Sequence, residues 1–500
     1  MNTKEHEVMK MRGSADVSYL SHSVDEMIWE FMKENEIPGL TLAIVQAPYI
    51  PRVVGYGLSD VSQRRLASAN TMWPVGPVSQ AFTAVAVMQL YERGMLELDK
   101  TAGAYGLSLP EAWKQVTVRQ LLHHSAGLPD YRSQPGWNVE REWTEQELID
   151  LVKDVPLSFA PDSNVELSAT NFLVLTGIIE AVSKQSYHDF VKENQIDFLG
   201  LRHTAFSEDL DQFDKEDVSL TDQVHQLFKK DGRFIDPTET AAGSHMIHSS
   251  ALKGFGDIWA SAQDISFWDI GLAGAVLIKE PENRSMIYAP WELPDGRKVP
   301  ACAGWQFYNH RGLMDIKGSV PGFSSFLSRF THPEELVCVT LLANKEGVDF
   351  TNLGRRIAGA FGDLLSTNYD DNKLFLTEGQ FPVEESVKRL EDELAAKNIP
   401  VFAKFDHAKN AEEAGLKLRP TTVLVFGSPK TGTGLMEADQ SVSLELPLKI
   451  SIWEDEAGST WLAYPRMKRL MADYGLEQHP VVEKMELLLE NLVSKAANIY

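Results

Sequence analysis

The sequence predicts an α+β protein of two domains, and three observations carry that prediction. Strand-like apolar patterns stand near the beginning of the chain and again near residue 340, with a cluster of helical patterns between them. A polar, acidic stretch follows, TNYDDNKLFLTEGQFP, and beyond it a shorter set of helix and strand patterns begins afresh. The 500 residues exceed what one ordinary core supports.

Residues 1–20 read as a polar tail, too charged for a signal peptide. SVDEMIWEFMKENEIPGLTLAIVQ then reads as an amphipathic helix, a Pro38-Gly39 junction and a strand. From Val78 to Gly94 the chain is apolar nearly all round, with Ala81, Phe82, Val85, Met88 and Leu90. Such a helix belongs in the middle of a domain, and Gly94 suits its C-terminal stop. VTVRQLLHHSAGLPDY, LSATNFLVLTGIIEAVSKQSYHDFV and GFGDIWASAQDISFWDIGLAG are read as helix-rich. Strand patterns return in CAGWQFYNHRGLMDIKGSVPGFSSFLSRF and ELVCVTLLANK, and the helix NLGRRIAGAFGDLLS closes the first domain. The expected boundaries are 21–366 for that domain, 367–374 for a linker and 375–500 for a small α+β domain.

Composition narrows the function classes. With 71 acidic against 47 basic residues the formal net charge is −24, which argues against a phosphate-backbone partner, so no nucleic acid is expected. No run of about 18 apolar residues offers a membrane span, and the cytoplasm is the expected compartment. Two cysteines are too few for a disulfide framework, and Cys338 in LVCVTLLA reads as a small buried hydrophobe. HExxH is absent and no His, Asp or Glu cluster has metal-ligand spacing, so neither metal nor other cofactor is expected.

Five stretches, in order, resemble a known family: VGPVSQAFTAVAVMQLYERGMLELD, VTVRQLLHHSAGLPDY, LSATNFLVLTGIIEAVS, GFGDIWASAQDISFW and KGSVPGFSSFLS. Residues from about 25 to 365 are similar to the serine β-lactamase and penicillin-recognising superfamily, near its class C and esterase branch. The resemblance implies an antiparallel sheet with helices on both faces plus a helical subdomain. It also implies three catalytic motifs, and each is altered here. Pro77 stands where the Ser-x-x-Lys serine is expected and Gln80 where its lysine is; Leu167 and Ala169 replace the Tyr and Asn of Tyr-x-Asn; Ile316 replaces the His or Lys before x-Gly.

The proline removes more than a hydroxyl. In this family the nucleophile's own N–H is one of two oxyanion donors, and proline has none. Losing such a donor costs on the order of 10²–10³ in rate. Gln80 cannot act as a base at neutral pH, and neither Leu167 nor Ala169 can relay a proton. Proline still suits the first turn of a helix, so the substitution keeps the fold while deleting the chemistry.

Several residues qualify as replacements. Ser79, two positions after Pro77 and so about 200° round a helix, reads as a helix-start hydroxyl facing away from the cavity. Lys317 could bind a carboxylate or act as an amine base, although an outward strand position is the plainer reading, with Asp315 solvated nearby. His124 matches a histidine the family uses structurally near a turn. Two literal motifs read as decoys: SALK, Ser250 to Lys253, away from the expected helix, and KTG from Lys430, outside the resemblance.

The second domain resembles a small family of uncharacterised bacterial α+β proteins through FDHAKNAEEAGLKLRPTTVLVFGSPKTGTGLM and LELPLKISIWED. His407 is a candidate ligand or base. GSPKTGTG, holding Lys430 and Thr431, reads as a glycine-rich hairpin or dimer contact, or as an anion cradle lacking the P-loop ending.

Two functional readings follow. One is a degenerate, non-hydrolytic domain binding a small organic ligand or a protein partner, with a homo-oligomer formed through the second domain. The other is an enzyme repurposed for isomerisation, cyclisation or hydrolysis without an acyl-serine. A conventional esterase or β-lactamase stands a distant third.

Overall fold

The computed structural model describes residues 18–19, 22–46, 49–61, 63–214, 217–219, 247–299, 305–306, 313–332, 335–361, 365, 374–456 and 458–498. These fall into two compact units, the first up to residue 365 and the second from residue 374. Of the predicted linker only residue 374 is described, and Cys302 also lies outside the described residues. The predicted tail needs one correction: Ser18–Tyr19 pairs antiparallel with His22–Ser23.

The first unit opens with helix α1 (Val24–Glu34), started by a capping box between Ser23 and Glu26. Strands β1 (Gly39–Gln46), β2 (Tyr49–Asp60) and β3 (Arg65–Leu66) follow, then the short β4 (Trp73–Pro74) and the central helix α2 (Ser79–Glu92). The helical subdomain contains α3 (Val118–Leu122), α4 (Glu145–Val152), α5 (Ala169–Ser183) and α6 (Tyr187–Val191). VTVRQLLHHSAGLPDY is thus less helical than its composition suggests: after Leu122 it becomes a loop, turned by His124 at φ 56° and Gly127 at φ 72°. Strands β5 (Thr204–Phe206) and β6 (Ile258–Ala260) join β4 in a small sheet of order β4-β6-β5, with β6 in the middle.

Helix α7 (Ala262–Ala273) leads through α8 (Pro281–Tyr288) and the ladder of β7 (Trp291–Glu292) with β8 (Lys298–Val299). Strands β9 (Leu313–Val320), β10 (Phe323–His332) and β11 (Glu335–Ala343) and helix α9 (Thr351–Phe361) complete the unit. The main sheet has the order β9-β10-β11-β1-β2-β3, antiparallel throughout. Chain ends far apart in sequence therefore meet in the middle, where β11 pairs with β1 from Cys338↔Val45 to Ala343↔Leu40.

One sheet face carries α1 and α9, whose Met27, Ile28, Leu353 and Ile357 pack on Leu40, Leu42, Phe326 and Leu341. The other carries α7, whose Ser266 hydroxyl meets that of Thr340 at 3.4 Å. A sheet covered on both faces has no reason to alternate polar and apolar residues, and seven of the eight β1 residues are buried. The predicted antiparallel sheet with helices on both faces is the observed one.

The second unit is an antiparallel sheet of order β12-β16-β15-β14-β13, from β12 (Leu374–Gly379), β13 (Val401–Asp406), β14 (Thr421–Phe426), β15 (Leu448–Glu454) and β16 (Thr460–Pro465). Helix α10 (Val383–Ala396) and the C-terminal helix Pro480–Ala497 bury Leu390, Leu394, Leu489 and Val493 against Leu424, Ile450, Ile452 and Leu462. GSPKTGTG does not form the expected hairpin. From Pro429 it enters a helix, Pro429–Ala438, because proline suits the first turn and Leu435 is fully buried beneath. Lys430 is exposed on this helix and Thr431 half-buried, while His407 is exposed at the start of the helix His407–Glu413. No helix among the described residues is long and apolar enough to cross a membrane.

Candidate functional site

The turn before α2 is set by Gly76, whose φ of 51° would strain any side chain. Gly76–Val78 forms a 3₁₀ turn with Pro77 inside it, running directly into α2. Strand β9 presses closely on this turn. A Cβ built on Gly318 would lie 3.2 Å from Pro77 Cδ, 2.7 Å from the Val75 carbonyl oxygen and 2.2 Å from Ser325 Oγ. Ser325 Oγ also donates to the Val75 carbonyl at 2.7 Å.

Ser79 is fully buried and its Oγ accepts the Ile258 N–H of β6 at 3.2 Å. Gln80 is buried too, its Oε1 lying 2.6 Å from His124 Nε2. The other ring nitrogen, Nδ1, accepts from the Ser168 N–H at 3.3 Å and from Asn171 Nδ2 at 3.1 Å. Two donors on Nδ1 place the ring proton on Nε2, which donates to Gln80. Burial, followed by the charges of His123 and Arg132, holds His124 down to about 3. It is therefore a neutral hydrogen-bonding group that joins the start of α2 to the start of α5, not a base at neutral pH. Replacing Gln80 by Leu leaves the Nε2–H buried and unpaired. We expect that variant to lose about 1–3 kcal/mol in denaturant unfolding.

Of the other residues expected at the motif positions, Ala169 and Ile316 are buried, whereas Leu167 is 43% exposed. Lys317 forms an ion pair with Asp349, Nζ to Oδ1 3.1 Å. The expectation that Asp315 is solvated is wrong: its side chain is fully buried. Residue 306 covers that edge of β9, with Gln306 and Asp315 exchanging backbone hydrogen bonds at 2.8 and 3.0 Å.

A cleft of about 330 Å³ opens elsewhere in the same unit, and none of Pro77, Gln80, Leu167, Ala169 and Ile316 lines it. Its walls hold Lys253, which pairs with Glu145 and, at 2.8 Å, with Glu180. These carboxylates outweigh the burial penalty and raise the lysine, so Lys253 stays an ammonium and SALK has no free amine base. His188 lies alongside, its Nδ1 2.7 Å from Glu208 and its Nε2 3.2 Å from Asp257, with its ring stacked on Phe206. Ser249 Oγ donates to Glu208 at 2.8 Å. Sequence reasoning did not reach His188, Glu208 or Asp257, because 69 positions separate His188 from Asp257.

Burial lowers the His188 pKa, but Asp257 and Glu208 more than offset that and raise it overall. A folded value above the unfolded one stabilises the protein fully below pH 6.5, and the contribution is lost as pH rises through the folded value. Raising the pH from 6.5 is therefore expected to lower Tm more in the natural protein than in His188→Gln, measured by calorimetry in matched buffers. Equal slopes would remove His188 as the linked group. Among the described residues no group of three His, Cys, Asp or Glu side chains is placed to hold a metal ion.

Comparison with known proteins assigns the two units separately. The family model Beta-lactamase matches residues 24–361, and Domain of unknown function DUF302 matches residues 376–492. A penicillin-binding protein of Bacillus subtilis (strain 168) is 24% identical over 299 residues, 58% of this chain and 64% of that protein. Protein flp of Staphylococcus aureus (strain MW2) is 22% identical over 328 residues, 64% of this chain and 62% of that one. The chain thus spans under two thirds of the length of these relatives.

Among solved structures, the octameric penicillin-binding protein homologue from Pyrococcus abyssi superposes with a TM-score of 0.57 at 19% identity, covering 88% of this chain and 89% of its own. A D-amino acid amidase from Ochrobactrum anthropi SV3 reaches 0.56 at 19% identity, covering 69% of this chain and all of its own. At such identities the likeness concerns the fold. With a family model spanning well over half of its residues, the chain belongs to the beta-lactamase family.

Proposed function

We propose that this protein is a beta-lactamase family member without acyl-serine chemistry at the family's catalytic position, kept as a binding module for a small organic ligand or a protein partner. One observation carries the reading. Pro77 occupies the nucleophile's turn, and Gln80, at the lysine position, is already engaged by buried His124 at 2.6 Å. A tertiary amide nitrogen offers no oxyanion donor, and a hydrogen-bonded carboxamide takes up no proton. The buried Ala169 and Ile316 add no acid, base or phenol.

The test is incubation of the full chain with a labelled penicillin, followed by intact mass measurement. No penicilloyl adduct is expected at any time point, and an adduct on a serine of residues 21–366 would overturn the reading. The octameric state of the Pyrococcus abyssi homologue supports assembly of this chain into an oligomer as part of the same proposal. Light scattering on the purified protein reads that directly, and a monomer at micromolar concentration would remove the assembly from it.

A further inference from the structure

The cleft is lined by Ser250, whose hydroxyl meets a histidine as a nucleophile meets its base. We propose that Ser250 is a nucleophile with His248 as its general base, acting on neutral or cationic carboxylic esters. Ser250 lies in the 3₁₀ turn Ser249–Leu252, and its Oγ is 2.7 Å from His248 Nδ1. The same Nδ1 lies 3.3 Å from the Ser250 backbone N–H, which can only donate. Nδ1 is therefore the unprotonated ring nitrogen, and the hydroxyl proton points at it. The Trp143 N–H donates to Ser250 Oγ at 2.8 Å, which fixes the oxygen from a second direction and leaves one lone pair for attack. Both Ser250 and Trp143 line the open cleft.

The base is His248, not the lysine that the SALK spelling suggests, because Lys253 is held between Glu145 and Glu180. Glu145, Glu180 and Glu208 line the walls and disfavour an anionic substrate. That separates this cleft from penicillins, which carry a carboxylate.

In the reaction Ser250 Oγ bonds to the ester carbonyl carbon while its proton passes to His248 Nδ1. The bond from that carbon to the alkoxy oxygen breaks, and the imidazolium returns the proton to the leaving alcohol. Water, deprotonated by the same nitrogen, then attacks the acyl-serine, releasing the carboxylic acid and restoring the hydroxyl.

The hydrogen bond also caps the turn, so the test must separate capping from catalysis. The full chain is treated with an uncharged alkyl fluorophosphonate, whose P–F bond breaks as Oγ–P forms and fluoride leaves, and the adduct is mapped by peptide mass spectrometry. The adduct is expected on Ser250 and absent from Ser250→Ala. His248→Asn keeps an acceptor for the Ser250 N–H but cannot take the proton, so its labelling rate should fall about 10²-fold or more at unchanged Tm. Ser79→Ala should label like the natural protein. No adduct on Ser250, or His248→Asn labelling at the natural rate, overturns the proposal. A penicilloyl adduct on Ser250 would likewise overturn it, since the cleft's carboxylates disfavour an anionic substrate, whereas one on another serine of the first unit overturns the reading of the Pro77 site alone.

Discussion

Asp269→Ala is expected to be strongly destabilising, costing about 3–5 kcal/mol. Asp269 on α7 and Arg329 on β10 are both buried, and the guanidinium makes a fork to the carboxylate with Nε at 3.0 and 3.1 Å. Its second nitrogen donates to the Asp269 carbonyl at 3.1 Å and to the Tyr288 hydroxyl at 2.7 Å. Removing the carboxylate leaves a buried cation without its counter-charge, which is far worse than removing the pair together. The double variant Asp269→Leu with Arg329→Met should therefore recover much of the loss. Guanidinium denaturation of both variants checks this, and equal midpoints for Asp269→Ala and the natural protein would show that the pair contributes nothing.

Trp268→Ala is expected to cost a similar amount, about 3–5 kcal/mol. Trp268 is fully buried, and its ring stacks on Phe82 of α2 with centroids 4.3 Å apart. Its Nε1–H donates to Gln195 Oε1 at 2.9 Å, while Gln195 Nε2 donates to the Phe82 carbonyl at 2.8 Å. The substitution opens a cavity beside the central helix and frees the side chain that ties down its backbone. Phe in place of Trp should lose less, because it keeps most of the ring contact while forfeiting the hydrogen bond and part of the packed volume. Denaturant unfolding of the two variants separates packing from hydrogen bonding, and a Trp268→Ala loss below that of Trp268→Phe would contradict the account.

Neither interaction is visible in a local window of sequence. Asp269 and Arg329 lie 60 positions apart, and Trp268 and Gln195 lie 73 apart. What a window does show is that α2 is buried, since Ala81, Phe82, Val85, Met88 and Leu90 leave it no polar face. The strands β10 and β11 were legible for the same reason. The GSPKTGTG segment misled because Gly432 and Gly434 are turn formers by local preference. Burial of Leu435 and a proline in the first turn outweigh that preference by tertiary packing.

The candidate sites divide along the same line. Pro77, Gln80, Leu167, Ala169 and Ile316 could be singled out from sequence because each stands in a linear stretch that resembles a family motif, and what each side chain can donate or accept is a property of the residue itself. By itself, then, the sequence determined the α+β class, the two-domain order and the family resemblance, and it named Pro77 and its companions as candidate site residues. Only the tertiary structure decided what the remaining groups do. It pairs Gln80 with His124 across 44 positions and Lys253 with Glu145 across 108, and it opens the cleft beside Ser250 and His248. The physical reason is that protonation state and nucleophilicity are set by burial and by the nearest charge, and both depend on which distant segments the fold brings into contact.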